Sequence, residues 1–254
     1  MTSTAIVLAG SRPGHDPFAE KFSTNLKALI PVCGEPMVRR PVVAMLKSKA
    51  IGKIMVLAQE PDRIAAVLPR DSRISVHPSL GTIADTILDQ IQASGLEWPL
   101  VVTTADHALL DCATVDEFCG QSAGADLAIG VVEQTNLLRR LPQTRRTWLR
   151  FRGGAYTGAN LFALRSSAVV PAIEQWRLVE QDRKKAWRVM ALLGPVVLMC
   201  VALRLVSLDD VLKQLGGRLG LVIKAVRLSN PLAGVDVDNL EDHALAEAIL
   251  REEA

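Results

Sequence analysis

Thr4-Ala-Ile-Val-Leu-Ala9 is an unbroken apolar run of strand type, and it stops at Gly10 in a polar loop, Gly10-Ser11-Arg12-Pro-Gly14-His-Asp-Pro17. A strand that empties into a glycine-bearing loop is the opening unit of an α/β sheet, and such loops lie at the carboxyl edge, where these folds bind ligands. Working outward, Ile51–Ala58 contains a second strand, Lys53–Ala58, and Arg73–Val76, Leu100–Thr104, Ala125–Val132, Thr157–Leu164 and Val222–Leu228 read as further strands. Between them, Gly81–Ala93 sets Ile83, Ala84, Ile87, Leu88 and Ile91 on one helical face. Ser207 is placed to cap a helix over Leu208–Leu215 that Gly216-Gly217 stops. Val235–Val237 predicts a very short strand, and Leu240–Arg251 a closing amphipathic helix with Asp238 and Glu241 spaced as a capping box. A helix after Pro36 meets an obstacle at Pro41, where the backbone N–H would already be needed. Strands alternating with helices are the pattern of a mainly parallel sheet with crossover helices.

The chain has 254 residues, 49% of them apolar and 22% charged, enough to bury a sizeable core and to exclude disorder. It reads as a single domain over 1–254, with 166–206 as a helical insertion that matches no motif. The formal net charge of +2 gives no basic field for nucleic acid. Cys33, Cys112, Cys119 and Cys200 form no CxxC and no Cys/His cluster, so zinc, iron–sulfur and a disulfide framework are not expected. Reduced thiols fit a cytoplasmic protein, and the first ten residues lack the basic start and long apolar core of a signal peptide. Val189–Leu203 is apolar but broken by Gly194-Pro195, short of the ~20 residues a membrane span needs. With Arg183-Lys-Lys-Ala-Trp187-Arg188 before it, the stretch 183–204 has the make-up of a segment that docks on the inner face of an anionic membrane. The commoner use of such a stretch is a core-packed helix with a charged start.

The first loop carries the chemistry. Gly10 and Gly14 let backbone N–H groups approach phosphate oxygens, and Arg12 and Lys27 supply charge, although neither GxxxxGK[ST] nor GxGxxG is present. An ordinary surface loop would look similar. Asp106 follows a fully apolar strand, so its carboxylate emerges at the same sheet edge. Asp236 and Asp238, two apart on the short strand, face the same way. Magnesium takes one or two carboxylates plus phosphate oxygens and waters, which Asp106 with Asp236 or Asp238 would provide; a plain N-cap is the bland reading of Asp238. Gly81-Thr82 opens a helix whose free N–H groups and hydroxyl suit a nucleobase or ribose, with Asp85 close by, or simply begin the helix. Arg139, Arg140, Arg145, Arg146, Arg150 and Arg152 surround Trp148 and Phe151. Arg145 and Arg146, nearest the Thr157–Leu164 strand, suit an anionic ligand because arginine forks hold phosphate bidentately.

Leu8-Ala9-Gly10 followed by Lys27-Ala-Leu29-Ile-Pro31-Val32-Cys-Gly34-Glu-Pro36-Met37 resembles the signature of the MobA-like nucleotidyltransferase superfamily. Ser11 stands where the family more often has a second glycine, and the loop is several residues longer. Thr103-Thr-Ala-Asp106 resembles the family's strand ending in a metal-binding aspartate. Tyr156-Thr-Gly158-Ala-Asn160 resembles its substrate-side strand, and Val235-Asp236-Val-Asp238-Asn-Leu-Glu-Asp242 its closing segment. The resemblance implies a three-layer α/β/α Rossmann-like domain with a mostly parallel sheet, of the nucleotide-diphospho-sugar transferase type. It also implies Mg²⁺-dependent transfer of a nucleotidyl group from a nucleoside triphosphate to a phosphorylated small-molecule or lipid acceptor, releasing pyrophosphate. In that scheme Leu8 to Ser11, Gly14, Gly81, Thr82 and Asp85 contact the nucleotide, Arg12 and Lys27 its phosphates, and Gly158 and Asn160 the acceptor. Two alternatives stand beside it: a metal-dependent glycosyltransferase of the same fold, for which Asp236-Val-Asp238 is the D-x-D pattern, and a catalytically degraded nucleotide-binding paralogue.

Overall fold

The computed structural model describes residues 2–10, 16–79, 81–93, 96–181, 194 and 197–252. Ser11, Arg12 and Gly14, and most of 183–204, lie outside them. The strands are β1 (Ser3–Leu8), β2 (Pro31–Val32), β3 (Glu35–Pro36), β4 (Ile51–Ala58), β5 (Ile74–Pro78), β6 (Leu100–Thr104), β7 (Leu127–Glu133), β8 (Leu149–Phe151), β9 (Gly154–Leu164) and β10 (Ile223–Arg227). The first seven helices are α1 (Pro17–Glu20), α2 (Arg39–Lys47), α3 (Pro61–Ala65), α4 (Ile83–Gln92), α5 (Cys112–Gln121), α6 (Gln134–Arg140) and α7 (Val170–Gln181). Two more span Leu208–Leu219 and Leu240–Glu252, the latter called here the C-terminal helix.

Among the described residues eight strands form one sheet, in the order β10-β7-β9-β6-β1-β4-β5 with β8 beside β9. β1 runs parallel to β4 and β6, β4 to β5, and β7 to β10. Among the described strands of this sheet only β9 runs against the others: it lies antiparallel between β6 and β7, and β8 pairs antiparallel with it. The central strands are buried on both faces, which is why they read as continuous apolar runs rather than alternating ones. Ala5, Val7, Val56 and Val101 pack on one side with Val42 and Met45 of α2, Phe118 of α5 and Ile249 of the C-terminal helix. Ile6, Leu57 and Val102 pack on the other with Ile87 and Leu88 of α4 and Ile173 of α7. Leu208 and Leu212 cover the β7–β10 end through Val131 and Ile223. The result is a three-layer α/β/α domain with a mostly parallel sheet.

Four local expectations change. Pro41 is the third residue of α2, where the missing N–H is one of the helix's unbonded first four, so the helix forms around it. Gly216-Gly217 does not end its helix, which runs on to Leu219 and stops at Gly220 in the left-handed conformation (φ +68°). Gly220 and Leu221 then both donate to the Gly216 carbonyl. Val235–Val237 has no ladder partner; it is an extended segment that buries Val235 and Val237 and donates its Val237 N–H to the Asp106 carbonyl at 3.0 Å. The cap of the last helix is one residue later than the spacing suggests. Asn239 Oδ1 accepts from Asp242 N–H (3.0 Å) and Asn239 Nδ2 donates to Asp242 Oδ2 (2.8 Å), leaving Asp238 free for other work. No described helix is long and apolar enough to cross a membrane.

Two stability outcomes follow from this packing. A Cβ on Gly216 would sit 2.3 Å from the Leu221 carbonyl oxygen, whereas one on Gly217 meets nothing within 4 Å. In urea unfolding, Gly216→Ala is expected to cost about 1–3 kcal/mol or more, and Gly217→Ala to be neutral or to add up to about 1 kcal/mol from helix propensity. His107, only 1% exposed, is held neutral by burial, which outweighs the nearby Asp106 charge and takes its pKa down to about 4. The unfolded chain therefore takes up that proton first. The stability due to the neutral ring is full above pH 6.5 and declines as pH falls toward 4, by about 3 kcal/mol in all. His107→Gln should flatten that limb of the stability–pH curve; an unchanged limb would contradict the assignment.

Candidate functional site

Parallel pairing sets the site's floor. Leu8 of β1 lies in register with Leu57 of β4 and Thr104 of β6, so three chain ends leave the sheet at one carboxyl edge. Ala9 N–H donates to the Leu57 carbonyl and Ala105 N–H to that of Leu8 (2.8 and 2.9 Å), which ties the loops to that edge. Gly10 stands beside Ser79, where a Cβ would meet Ser79 Oγ at 3.4 Å, so the entry to α4 flanks the first loop.

Lys27 reaches this edge from a single 3₁₀ turn, Lys27–Leu29, whose neighbours Leu26, Ala28 and Ile30 are buried. The turn feeds the β2–β3 hairpin, whose two-residue loop Cys33-Gly34 has positive φ at both positions (+50° and +79°). That is the twist a two-residue hairpin favours, and it is costly for cysteine. The C-terminal helix holds it there: Glu247 Oε1 accepts the Cys33 N–H at 2.7 Å, and His243 Nε2 sits 2.7 Å from the Pro31 carbonyl oxygen.

The Lys27 ammonium donates to Asp106 Oδ2 at 2.7 Å and to Asp238 Oδ1 at 2.5 Å. Burial acts to lower the Lys27 pKa, but Asp106 and then Asp238 outweigh it and hold the ammonium above its ordinary value. Thr104 Oγ1 donates to the other Asp106 oxygen, fixing the carboxylate's rotation. Asp238 is 57% exposed and opens outward.

Asp236 turns to a different set of partners. Arg146, 8% exposed, pairs with Asp236 Oδ1, donates to the Asp236 carbonyl at 3.1 Å and to Asp242 Oδ1 at 2.8 Å. Asn160 Nδ2 approaches Asp236 Oδ2 at 3.4 Å from a positive-φ position (+47°) beside a register shift in the β7–β9 ladder. Burial, then the Asp238 and Asp106 charges, push the Asp236 pKa up against the pull of Arg146. The expectation that Asp236 and Asp238 face the same way changes: Asp238 meets Asp106 at Lys27, and Asp236 is committed to Arg146 and Asn160.

The structure therefore brings Leu8, Ala9, Gly10, Lys27, Asp106 and Asp238 to one sheet edge. Gly81 (φ +54°), Thr82 and Asp85 open α4, and Thr82 and Asp85 cap each other. Thr82 Oγ1 accepts the Asp85 N–H at 3.1 Å, and Asp85 Oδ2 accepts from the Thr82 N–H and hydroxyl at 3.3 and 2.7 Å. Arg146, expected to face an acceptor, spends its guanidinium on the closing segment instead. Arg145 is exposed with no ion pair among the described residues, and a Cβ on Gly158 would meet nothing within 4 Å. Spacing gave no sign of Thr104, or of Asp242 as a partner of Arg146; a hydroxyl two residues before a candidate ligand is the one sequence signal for Thr104. Among the described residues no group of three or more His, Cys, Asp or Glu side chains could hold a metal ion. The two carboxylates that meet at Lys27 do fit magnesium, which needs one or two from the protein when phosphates supply the rest.

Comparison with known proteins agrees with this architecture. A hypothetical transferase from Thermus thermophilus superposes with a TM-score of 0.82 at 29% identity, over 96% of this chain and 100% of that one. The 4-diphosphocytidyl-2C-methyl-D-erythritol synthase of Anaerococcus prevotii shares the fold at a TM-score of 0.63 and 12% identity, covering 98% and 96%. A CMP:2-keto-3-deoxy-manno-octonic acid synthetase in complex with CTP shares it at 0.63 and 11%, with 100% of each chain covered. No curated protein matches the sequence. Residues 5–196 match the MobA-like NTP transferase domain. The chain belongs to that family of nucleotidyltransferases.

Proposed function

We propose that this protein moves a nucleotidyl group from a nucleoside triphosphate to a phosphorylated small-molecule or lipid acceptor and releases pyrophosphate, with Mg²⁺ held by Asp106 and Asp238. The observation that carries this reading is the meeting of Lys27 with those two carboxylates, 2.7 and 2.5 Å away, at the edge where β1 gives way to its loop. The family supports the reaction class, and so do the two neighbours, a 4-diphosphocytidyl-2C-methyl-D-erythritol synthase and a CMP:2-keto-3-deoxy-manno-octonic acid synthetase in complex with CTP.

In the proposed reaction an acceptor phosphate oxygen attacks the α-phosphorus in line. The bond from that phosphorus to the bridging oxygen breaks, and pyrophosphate leaves with the electron pair. The attacking oxygen is already anionic, so no base is required; this agrees with a His107 that is buried and neutral. Bound magnesium would supply neutralisation of phosphate charge. Lys27, with Arg12 from the first loop, holds the departing pyrophosphate, and Gly10, Ser11 and Gly14 bring backbone N–H groups to the phosphates. Gly81, Thr82 and Asp85 border the base and ribose. Arg145, with Gly158 and Asn160, receives the acceptor, while Arg146 keeps the closing segment in place. Asp236-Val-Asp238 suits a glycosyltransferase less well, because only Asp238 faces the Lys27 side. The setting we propose is the cytoplasm, which suits four free cysteines. Contact of 183–204 with a membrane face belongs to the same proposal only if the acceptor is a lipid phosphate.

A thermal-shift panel of ATP, GTP, CTP and UTP, each with and without Mg²⁺, tests the donor. One triphosphate at a hundred times its Kd should add about 2.7 kcal/mol, and silence from all four would refute the transfer reading. With the donor identified, Asp106→Asn and Lys27→Ala are expected to lower pyrophosphate release by about 10²–10³ while the chain stays folded. Arg145→Ala should raise the acceptor KM more than it lowers kcat.

A further inference from the structure

The two carboxylate oxygens that a divalent ion would need are the two that Lys27 now holds. Asp106 Oδ2 and Asp238 Oδ1 both accept from one ammonium. Of the other oxygens nearby, the second Asp106 oxygen accepts the Thr104 hydroxyl and Asp236 is committed to Arg146 and Asn160, which leaves Asp238 Oδ2 open among the described residues. An ammonium neutralises one of the two charges, and a divalent ion neutralises both. The ion and the ammonium cannot share these oxygens without strong like-charge repulsion.

We propose that Lys27 is a resident counter-ion which a divalent metal must evict, and that the evicted ammonium is the group that then grips the triphosphate. The inference rests on the metal assignment made above and adds a linkage to it. Lys27's backbone sits in a 3₁₀ turn with buried neighbours, so only its four-carbon stem has to swing. Metal entry frees a cation for phosphate, and phosphate binding draws the cation off the carboxylates. Each ligand therefore raises the other's affinity by the same factor, as reciprocity demands. In the free protein the ammonium already offsets one of the two carboxylate charges, so the site binds metal weakly.

The test is Mn²⁺ binding to the full chain without nucleotide, followed by enhancement of water-proton relaxation. Lys27→Met removes the ammonium and keeps the stem's bulk. It is expected to bind Mn²⁺ between about 5 and 150 times more tightly than wild type, the usual range for coupled sites. Adding Asp238→Asn to Lys27→Met should abolish the gain. With saturating pyrophosphate as the phosphate probe, Mn²⁺ affinity should rise more in wild type than in Lys27→Met. If Lys27→Met does not fold, Lys27→Gln takes its place. Equal Mn²⁺ affinity in wild type and variant overturns the counter-ion role and leaves the metal assignment standing. No Mn²⁺ binding by either protein, with or without pyrophosphate, overturns both.

Discussion

One ammonium joined to two carboxylates organises this molecule's functional edge. Lys27 comes from the turn after the first loop, Asp106 from the end of a central strand and Asp238 from the segment before the last helix. Without a cation between them, Asp106 and Asp238 would repel, and the closing segment would lose a reason to lie against β6. With it, Val237 donates to the Asp106 carbonyl, and Arg146 fastens Asp236 and Asp242 from the other side. Local charge balance thus does for the site what apolar burial does for the sheet. Electrostatic preorganisation of this kind suits a reaction in which the protein has little covalent chemistry to perform.

A second set of contacts reinforces the first. The C-terminal helix grips the β2–β3 hairpin through Glu247 and His243, and His243 stacks against Phe22 with ring centres 4.6 Å apart. The hairpin in turn follows directly on the turn that carries Lys27. The Lys27 segment and the Asp238 segment are therefore connected twice, once by charge at the site and once by packing behind it. Moving either without the other would break both sets of contacts.

The sheet was legible in the sequence because its strands are buried on both faces and announce themselves as apolar runs; β6 begins and ends where its run does, and β4 starts two residues ahead of the Lys53–Ala58 run. Gly10, Lys27, Asp106 and Asp238 were legible because motif order and strand ends pointed to one edge. What escaped was decided at long range. Gly216-Gly217 looks like a helix stop, yet Gly216 is required where the chain folds back and Leu221 passes over it. Arg146 looks like a free cation in a basic stretch, yet its partners lie 90 and 96 positions away, beyond the reach of any local pattern. Asn239 rather than Asp238 caps the last helix, because Asp238 is drawn outward to Lys27.

The distance along the chain between the site's parts has a consequence for biosynthesis. Lys27 and Asp238 are separated by 211 positions, with every described strand except β1 in between. Contacts of such long sequence separation form late, after the loop between them has been closed by other interactions. An emerging chain that already displays Lys27 and Asp106 still lacks the second carboxylate of the cluster. The three charged groups can meet only after nearly all of the sheet has been made, so a partly made copy carries this edge without its closing segment.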